Sequence, residues 1–320
     1  MKKILSVDGG GIRGVIPAVI LTEIENRARR QAGELFDLVA GTSTGGLLAL
    51  ALTAPGTDGK PRYHAAELLG LYEAQGAKIF RRDPWHRIWA LENLLEEKFP
   101  ADGLEQVLKQ YFGDTRVSEA LAEVLVTSYD IERRKPFFFK RHDARQDPGF
   151  DWPMWQAARA TSAAPTYFEP AKLEVAGSTD YFALIDGGVY ANNPAMCAYA
   201  EARALWPEEN DFLVVSLGTG ELTRSIRYEQ ARGWGLAKWA QPILGVVFDG
   251  VSDTVDYQLQ DLCLDEVTRV SGYYRFQVTL DRANDDMDDA SATNIRALRL
   301  LAQGLVDQRE EDLKDLCGLL

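Results

Sequence analysis

The sequence predicts an α/β protein, specifically a three-layer α/β/α fold with a mostly parallel central sheet. Short apolar runs of strand length alternate with longer segments whose apolar residues recur at helical spacing. Several short runs end in glycine-rich loops that lead directly into helical segments. The 320 residues, 46% of them hydrophobic, suffice to cover a sheet on both faces. No linker-like stretch divides the chain, so we expect one domain over residues 1–320, with a helical cap or insertion around residues 60–115.

The beginning of the chain predicts a strand–helix unit that is repeated once. Residues 3–7 form a short apolar run, and residues 15–30 place apolar side chains at helical spacing before a basic end. Residues 38–41 and 45–52 repeat the pattern of strand and apolar helix. Strands joined by crossover helices lie parallel in one sheet, so these segments predict the centre of the sheet.

The rest of the chain continues this alternation. Further strands are predicted at residues 123–131, 136–139, 181–185, 212–217 and 273–280, and helices at residues 152–162, at residues 194–206, in the segment from Trp234 and from Thr293 onwards. Pro194 suits the first position of its helix, where no backbone N–H needs a partner. Strands that alternate with helices again favour a mostly parallel sheet.

The overall composition limits the classes of partner. The formal net charge of −13 repels phosphate backbones, so we expect no nucleic-acid partner and no general attraction to anionic membranes. No stretch approaches the ~20 apolar residues that span a bilayer, and the apolar run after Lys3 is too short for a signal peptide. Three cysteines without metal-ligand spacing are typical of reduced thiols. These features predict a cytoplasmic protein.

The strongest local motif lies at residues 41–45, sequence GTSTG, between a predicted strand and an apolar helix. In this setting G-x-S-x-G is typical of a nucleophile elbow, a sharp turn that presents a serine hydroxyl above the sheet edge. Gly41 and Gly45 leave the room that such a turn needs, and the helix N-terminus behind Ser43 favours a developing negative charge. The pattern predicts Ser43 as a nucleophile; the alternative is a Gly/Ser turn that only caps a helix.

A second glycine-rich loop, residues 8–14 with sequence DGGGIRG, also lies between a predicted strand and a helix. Its consecutive glycines expose backbone N–H groups that can bind an anion. The spacing of Gly9, Gly11 and Gly14 also matches a dinucleotide-binding fingerprint, which requires an acidic residue at the end of the next strand. That strand ends instead in the turn at residues 41–43. An oxyanion hole explains both loops, whereas a dinucleotide site explains only one.

A third glycine-rich loop follows the predicted strand at residues 181–185. Asp186, with two glycines after it, stands at a strand end, where catalytic groups of parallel sheets gather, although Asp-Gly is also common in ordinary turns. A Ser–Asp–His order along the chain is excluded, because every histidine precedes Asp186. The histidines are His64, His86 and His142. The base for Ser43 must therefore come from elsewhere, and Asp186 is the candidate.

Together these motifs resemble those of the patatin-like phospholipases. The matching stretches are residues 8–14 (DGGGIRG), 41–46 (GTSTGG), 160–168 (ATSAAPTYF), 186–188 (DGG) with 192–194 (NNP), 216–220 (SLGTG) and 287–291 (MDDAS). The resemblance extends from about residue 4 to beyond residue 300. Several motifs in one order are far more specific than any of them alone.

The resemblance implies a patatin-like fold and a serine hydrolase that cleaves acyl esters of glycerophospholipids or galactolipids through an acyl-serine. It implies Ser43 as the nucleophile, Asp186 as its base, and no metal or cofactor. The implied oxyanion hole is formed by the backbone of Gly9, Gly10 and Gly11, with Arg13 nearby. Asp-Gly-Gly at residues 186–188, where plant members usually carry Asp-Gly-Ala, indicates a bacterial source.

The implied partner is a phospholipid or lysophospholipid at a membrane surface, so we expect the protein to be peripheral at membranes. Residues 80–99 carry aromatic and arginine side chains that suit a lid or an interfacial surface, and equally a packed core. Residues 234–248 are ambiguous in the same way. The acidic cluster at residues 285–289 lacks the glycine and the terminal glutamate of a calcium loop, which favours a solvated turn. A homo-oligomer stays open.

Two other functions stay open at this point. Some bacterial relatives are toxic phospholipases of antiviral defence that a cyclic nucleotide activates, which would add a small-molecule nucleotide partner, although no nucleotide pocket is identifiable here. The other alternative is a catalytically idle storage or binding protein on the same scaffold. The intact Ser43, Asp186 and triple glycine argue against it.

Removing all three histidines tests the absence of a histidine base. We expect a folded variant with His64, His86 and His142 all changed to Ala to keep most of its turnover of a soluble p-nitrophenyl ester, because Asp186 supplies the base. Circular dichroism before and after heating provides the control for folding. Loss of turnover in a folded variant would return a histidine to the mechanism.

Overall fold

The computed structural model of the protein describes residues 1–79, 99–175, 177–239, 242–263 and 272–320. Its strands are β1 (Lys2–Val7), β2 (Leu38–Thr42), β3 (Glu123–Asp130), β4 (Lys135–Lys140), β5 (Ala171–Glu174), β6 (Tyr181–Asp186), β7 (Phe212–Leu217) and β8 (Tyr273–Phe276). Its helices are α1 (Val15–Ala28), α2 (Ala32–Leu35), α3 (Thr44–Thr53), α4 (Ala65–Ile79), α5 (Ala101–Phe112), α6 (Arg141–Gln146), α7 (Met154–Thr161), α8 (Gly188–Ala191), α9 (Ala195–Leu205), α10 (Tyr228–Ala231), α11 (Leu236–Trp239), α12 (Pro242–Leu262), α13 (Ala292–Gln308) and α14 (Glu310–Leu319).

The described strands form one mixed sheet in the order β5-β6-β3-β2-β1-β7-β8, with β4 paired to β3. The central pairs β3–β2, β2–β1, β1–β7 and β7–β8 are parallel. The pairs β3–β4, β3–β6 and β5–β6 are antiparallel. The predicted α/β fold with a mostly parallel sheet is confirmed, and the antiparallel strands lie on the side of β3.

Both faces of the sheet are covered, because the buried side chains of its central strands alternate between two hydrophobic clusters. In β1, Ile4 belongs to the smaller cluster and Leu5 to the larger. The smaller cluster includes residues of α9 and α12, and the larger one residues of α1, α3, α4 and α13. Side chains of a strand point to opposite faces in turn, so this alternation produces the predicted three layers.

Two of the differences between prediction and structure concern strands. The strand β5 was not predicted, because Ala171–Glu174 is short and alternates apolar and charged side chains next to a loop. The strand predicted at residues 273–280 ends at Phe276, and Thr279 forms only an isolated bridge with Glu221. The apolar run of residues 273–280 therefore overstates the length of this strand.

The predicted helical cap at residues 60–115 lies partly outside the described residues. Helix α4 ends at Ile79 and α5 begins at Ala101, and both are helical as predicted. Residues 80–98, which contain most of the segment interpreted as lid, interface or core, are outside the described part. The single-domain assignment stays a prediction.

The position of β6 follows from the edges of β3. Strand β4 pairs with residues 125–130 of β3, and β2 pairs with residues 123–127, so these two strands must lie on opposite edges. Strand β6 pairs with residues 128–130, which β4 also occupies. It therefore lies on the edge of β2 and continues where β2 stops. The carboxyl end of β2 faces the carboxyl end of β6.

An ion pair between Asp8 and Arg275 ties β1 to β8. Arg275 Nη1 and Nη2 donate to the two carboxylate oxygens at 3.0 and 2.7 Å, and Nη1 also donates to Ser216 Oγ at 2.8 Å. Burial disfavours the charged guanidinium, but the adjacent Asp8 carboxylate raises the pKa of Arg275 above its usual value. Because Asp8 opens the triple-glycine loop, the pair holds the base of that loop.

Breaking this pair tests its contribution to stability. Arg275→Ala leaves the buried Asp8 carboxylate without a partner, so we expect the free energy of unfolding to fall by about 3–5 kcal/mol. Urea denaturation followed by circular dichroism measures it. Arg282→Ala is the matched control, because its ion pair with Asp281 is exposed at both partners and should contribute less than about 1 kcal/mol. Equal effects of the two variants would contradict the assignment.

Candidate active site

Ser43 occupies a strained turn between β2 and α3. Its backbone has φ 54° and ψ −123°, a conformation that side chains rarely adopt. Gly41 and Gly45 make the turn possible by their lack of side chains. A Cβ at position 41 would lie 2.0 Å from the Gly45 carbonyl oxygen, and one at position 45 would lie 2.1 Å from the Val7 carbonyl oxygen. This is the geometry of a nucleophile elbow, with Ser43 at the N-terminus of α3.

Threonine hydroxyls hold the elbow against the neighbouring strand. The Ser43 N–H donates to Thr161 Oγ1 at 2.8 Å, and Thr161 Oγ1 donates to the Thr127 carbonyl at 2.7 Å. Thr42 Oγ1 lies 2.7 Å from Thr127 Oγ1 and donates to the Ala191 carbonyl at 2.6 Å. Each of these hydroxyls is buried, so the bonds are not exchanged with water and stabilise the strained backbone.

Asp186 reaches Ser43 because β6 ends opposite β2. Its own N–H donates to the Ala163 carbonyl at 3.0 Å, and its carboxylate Oδ1 accepts the Gly188 N–H at 2.8 Å. The Ser43 side chain also interacts with this carboxyl group, and the interaction lowers the pKa of Asp186. The Gly188 bond orients the carboxyl group in the way that a third residue orients the base in a catalytic triad.

The pKa of Asp186 is suited to proton transfer near neutral pH. The residue is 1% exposed, and burial raises the pKa from its ordinary 3.8 to about 7, although the hydrogen bonds from Ser43 and Gly188 work in the opposite direction. A carboxylate with this pKa accepts a proton far more readily than an exposed one. The structure thus combines a serine at an elbow with a nearby carboxyl group whose pKa is close to neutral pH.

The triple-glycine loop lies on the other side of Ser43. The Gly9 N–H donates to the Asn192 carbonyl at 3.0 Å, and the Gly9 carbonyl accepts Thr219 Oγ1 at 2.6 Å. Among the described residues, the N–H groups of Gly10 and Gly11 have no acceptor. Gly9 was predicted as a direct donor, but its N–H is engaged, so the candidate donors narrow to Gly10 and Gly11. Gly11 adopts φ 58°, where a side chain would be strained.

Arg13 supports this loop from behind rather than facing Ser43. Its side chain is 4% exposed, and its Nε donates to the Gly10 carbonyl at 3.2 Å. Burial lowers the pKa of Arg13, and the carboxylates of Asp249 and Asp285 oppose that effect. Its Nη1 is buried and has no hydrogen-bond partner in the described part of the chain. Arg13 therefore fixes the carbonyl side of the loop, which leaves the N–H side free.

A cavity of about 60 Å³ brings these groups together. Its described lining consists of Gly10, Gly11, Ser43, Thr44, Leu47, Ile79, Leu104, Ser162, Ala164, Tyr167, Phe168, Asp186, Asn192, Phe248 and Met287. Ser43, Asp186, Gly10 and Gly11 meet in one cavity that is otherwise mostly apolar. An apolar cavity with a few convergent polar groups is typical of an active site for a lipid-like substrate.

Sequence reasoning assigned no role to several residues that build this site. Asn192 supplies the carbonyl that binds Gly9, while its buried side-chain Oδ1 has no partner among the described residues. Thr161 holds the elbow, and Thr219 holds the glycine loop. All three lie in stretches that matched the family motifs. Motif membership therefore contained the signal, but only the structure shows which atom each residue uses.

Two of the three histidines lie away from the cavity. His64 Nδ1 is 3.4 Å from the Glu25 carboxylate and its side chain is 61% exposed. His142 Nε2 lies 2.7 Å from Gln146 Nε2 on an exposed helix. His86 is outside the described residues. Within the described ranges, no group of three or more metal-binding side chains is assembled, and no helix has the length and apolar composition to cross a bilayer.

Comparison with known proteins decides the family. The family described as Patatin-like phospholipase matches residues 5–199. The chain belongs to the patatin-like phospholipase family. Patatin-like protein 4 of Arabidopsis thaliana is 32% identical to this patatin-like chain, with 95% of the chain and 83% of the relative covered. The structure of VipD from Legionella pneumophila has a TM-score of 0.39 and 12% identity and covers 96% of this chain and 67% of that one.

Overall similarity does not separate active from inactive patatin-like proteins. A potato (Solanum tuberosum) relative named Probable inactive patatin-3-Kuras 1 is 33% identical, with 96% of this chain and 86% of the relative covered. Whether this chain is active therefore depends on its site residues. The similar plant proteins also give no support to the bacterial source that Asp-Gly-Gly indicated, which stays a prediction.

The raised pKa of Asp186 predicts a pH-dependent cost in stability. The folded protein binds this proton more tightly than the unfolded chain, so the penalty exists above about pH 7 and vanishes below about pH 4. We expect the free energy of unfolding of Asp186→Asn to exceed that of the wild type by on the order of 2–4 kcal/mol at about pH 8. Urea denaturation of both proteins at about pH 8 and at about pH 4 checks this. A difference that stays constant with pH would show that the carboxyl group is not desolvated.

Proposed function

We propose that this patatin-like protein is a lipid acyl hydrolase that works through a Ser43–Asp186 dyad on phospholipids or lysophospholipids at a membrane surface. The observation that carries the proposal is that a serine at a strained elbow and a buried carboxyl with a pKa of about 7 line the same cavity. The family membership supports a lipid ester as substrate, and the mostly apolar lining around Ser43 is compatible with a hydrophobic substrate.

In the first half of the proposed reaction, Ser43 Oγ attacks the carbonyl carbon of the ester, and its proton moves to Asp186. The tetrahedral intermediate places its negative oxygen at the free N–H groups of Gly10 and Gly11, which have no competing acceptor among the described residues. The intermediate then collapses with cleavage of the carbon–oxygen bond to the alcohol. Asp186 returns the proton to the departing alkoxide, and an acyl-Ser43 remains.

In the second half, water attacks the acyl-serine while Asp186 accepts one of its protons. The new tetrahedral intermediate expels Ser43 Oγ, which regains its proton from Asp186, and the fatty acid leaves. Asp186 acts as base and then as acid in each half. A pKa near neutral pH serves both directions, because neither the uptake nor the release of the proton is strongly unfavourable.

The other two functions find no favouring observation in the described residues. The cyclic-nucleotide-activated effector stays a prediction from sequence, and so does a homo-oligomer. The idle storage protein disagrees with a site in which the nucleophile, the base and two free amides line one cavity. A strained backbone conformation at the elbow lowers the stability of the fold, and such strain is typical of catalytic sites.

Two variants of the dyad test the proposal. We expect Ser43→Ala and Asp186→Asn each to lower kcat/KM by a factor of roughly 10⁴ on a soluble p-nitrophenyl ester, because each removes one half of the proton-transfer pair. Ser162→Ala is the matched control, since it removes another hydroxyl from the same cavity and should retain most of the turnover. Full turnover by either dyad variant would sink the proposal.

The pH dependence of the wild type is a separate test. We expect kcat/KM to fall as pH decreases through about 7, because protonation of Asp186 removes the base. The profile is measured with the soluble ester over a pH range in which circular dichroism shows the protein to be folded. An acid limb with its midpoint near pH 4 would contradict the desolvated base.

A further inference from the structure

An exposed apolar surface lies between β7 and the first turns of α12. Among the described residues, thirteen large hydrophobic side chains are exposed, and five of them belong to residues 226–246. These five are Ile226, Tyr228, Leu236, Ile243 and Val246, and we call them, together with Trp234 and Trp239, the apolar face. Leu236 is 94% exposed and Tyr228 is 76% exposed. Single exposed apolar side chains are ordinary, but a cluster of this kind marks an interaction surface.

Several members of the apolar face are neighbours in space. The rings of Trp234 and Trp239 pack edge to face with centroids 5.2 Å apart, and Leu236 lies between them in the sequence. Ile226, Trp234 and Val246 line a single cavity of about 410 Å³. The parts of the segment before and within α12 therefore meet at this cavity.

This larger cavity adjoins the one that contains Ser43 and Asp186. Tyr167, Phe248 and Met287 line both the cavity beside the apolar face and the cavity that contains Ser43 and Asp186. The apolar face therefore lies next to the cavity of the nucleophile, and the three shared residues form an apolar boundary between the two cavities. Charged side chains, among them Arg224 and Asp249, also line the larger cavity. A lipid bound at the apolar face would keep its acyl chain away from water close to Ser43.

The charge of this segment differs from that of the whole chain. Residues 226–248 contain three basic and one acidic side chain, whereas the whole chain has a net charge of −13. Arg232 pairs with Glu229 at 3.0 Å. Arg227 and Lys238 are exposed, and neither forms an ion pair within the described ranges. An aromatic and basic surface on an otherwise acidic protein complements an anionic lipid surface, because both the apolar and the electrostatic contributions are attractive there.

We propose that the apolar face docks the protein on an anionic phospholipid surface, with Trp234, Leu236 and Trp239 inserted among the lipids and Arg227 and Lys238 at the headgroups. The proposal rests on the proposed function, since it supplies the route by which a lipid ester reaches Ser43. Tryptophan, tyrosine and arginine or lysine side chains are typical of the bilayer interface. The acidic remainder of the surface then orients the molecule with this side towards the membrane.

The binding test uses protein with Ser43→Ala, so that vesicles stay intact. Flotation with vesicles of equal parts phosphatidylcholine and phosphatidylglycerol should carry the protein, and vesicles of phosphatidylcholine alone should bind it more weakly. We expect Leu236→Asp in the same background to weaken binding to the mixed vesicles roughly tenfold. The double variant Arg227→Ala with Lys238→Ala should weaken it by a similar factor on the mixed vesicles only.

Leu300→Asp provides the matched control, because Leu300 is 59% exposed on α13, outside the apolar face, and should bind as the parent does. Equal binding by Leu236→Asp and Leu300→Asp would overturn the proposal. So would a parent protein that ignores both kinds of vesicle, or a change of oligomeric state by Leu236→Asp in gel filtration without a loss of vesicle binding, which would assign the face to a second copy of the chain.

The catalytic readout separates this inference from the proposed function. In protein with native Ser43, we expect Leu236→Asp to keep its turnover of the soluble p-nitrophenyl ester and to lose turnover of the mixed vesicles. Loss on both substrates would contradict a docking role. Absence of ester turnover in the wild type would defeat the proposed function alone, because the flotation result does not depend on catalysis.

Discussion

The site depends on one buried carboxyl group that has no cation beside it in the described part of the chain. Asp186 interacts with two neutral donors, the Ser43 hydroxyl and the Gly188 N–H. The nearby cations are occupied elsewhere: Arg275 is bound to Asp8, and Arg13 is held by the Gly10 carbonyl. An arginine next to Asp186 would lower its pKa and remove its basicity. These two arginines therefore lie on the outer side of the glycine loop, and burial is what raises the pKa of Asp186.

The elbow and the glycine loop lie side by side because they follow adjacent strands of the sheet. Strands β1 and β2 are parallel neighbours, so the loops that follow them emerge at one edge of the sheet. The elbow is stabilised from β3 through Thr127 and from α7 through Thr161, and the glycine loop is stabilised from the β7 end through Thr219. These supporting bonds use neither the N–H groups of Gly10 and Gly11 nor the Ser43 hydroxyl, so those groups can interact with a substrate.

The chemistry-bearing residues of the site were predictable from the sequence, because each stands in a glycine-rich loop directly after an apolar strand. The chain order of the histidines also excluded a triad through Asp186. What local patterns do not contain is pairing. Nothing in residues 181–186 shows that β6 runs antiparallel to β3, and nothing in the triple glycine shows that the Gly9 N–H is engaged by Asn192. Both facts depend on contacts between distant parts of the chain.

The short ladder between β3 and β6 makes strand registration a determinant of the site. Only residues 128–130 of β3 pair with residues 184–186 of β6, and the last of these pairs is Ser128 with Asp186. A slip of one residue would displace the carboxyl by about 3.3 Å and turn its side chain to the other face of the sheet. The neighbouring strand β5 contributes no residue to the described lining of the cavity, but it stabilises the position of β6. Its pairing with β6 keeps an acid aligned with a serine that lies far away in the sequence.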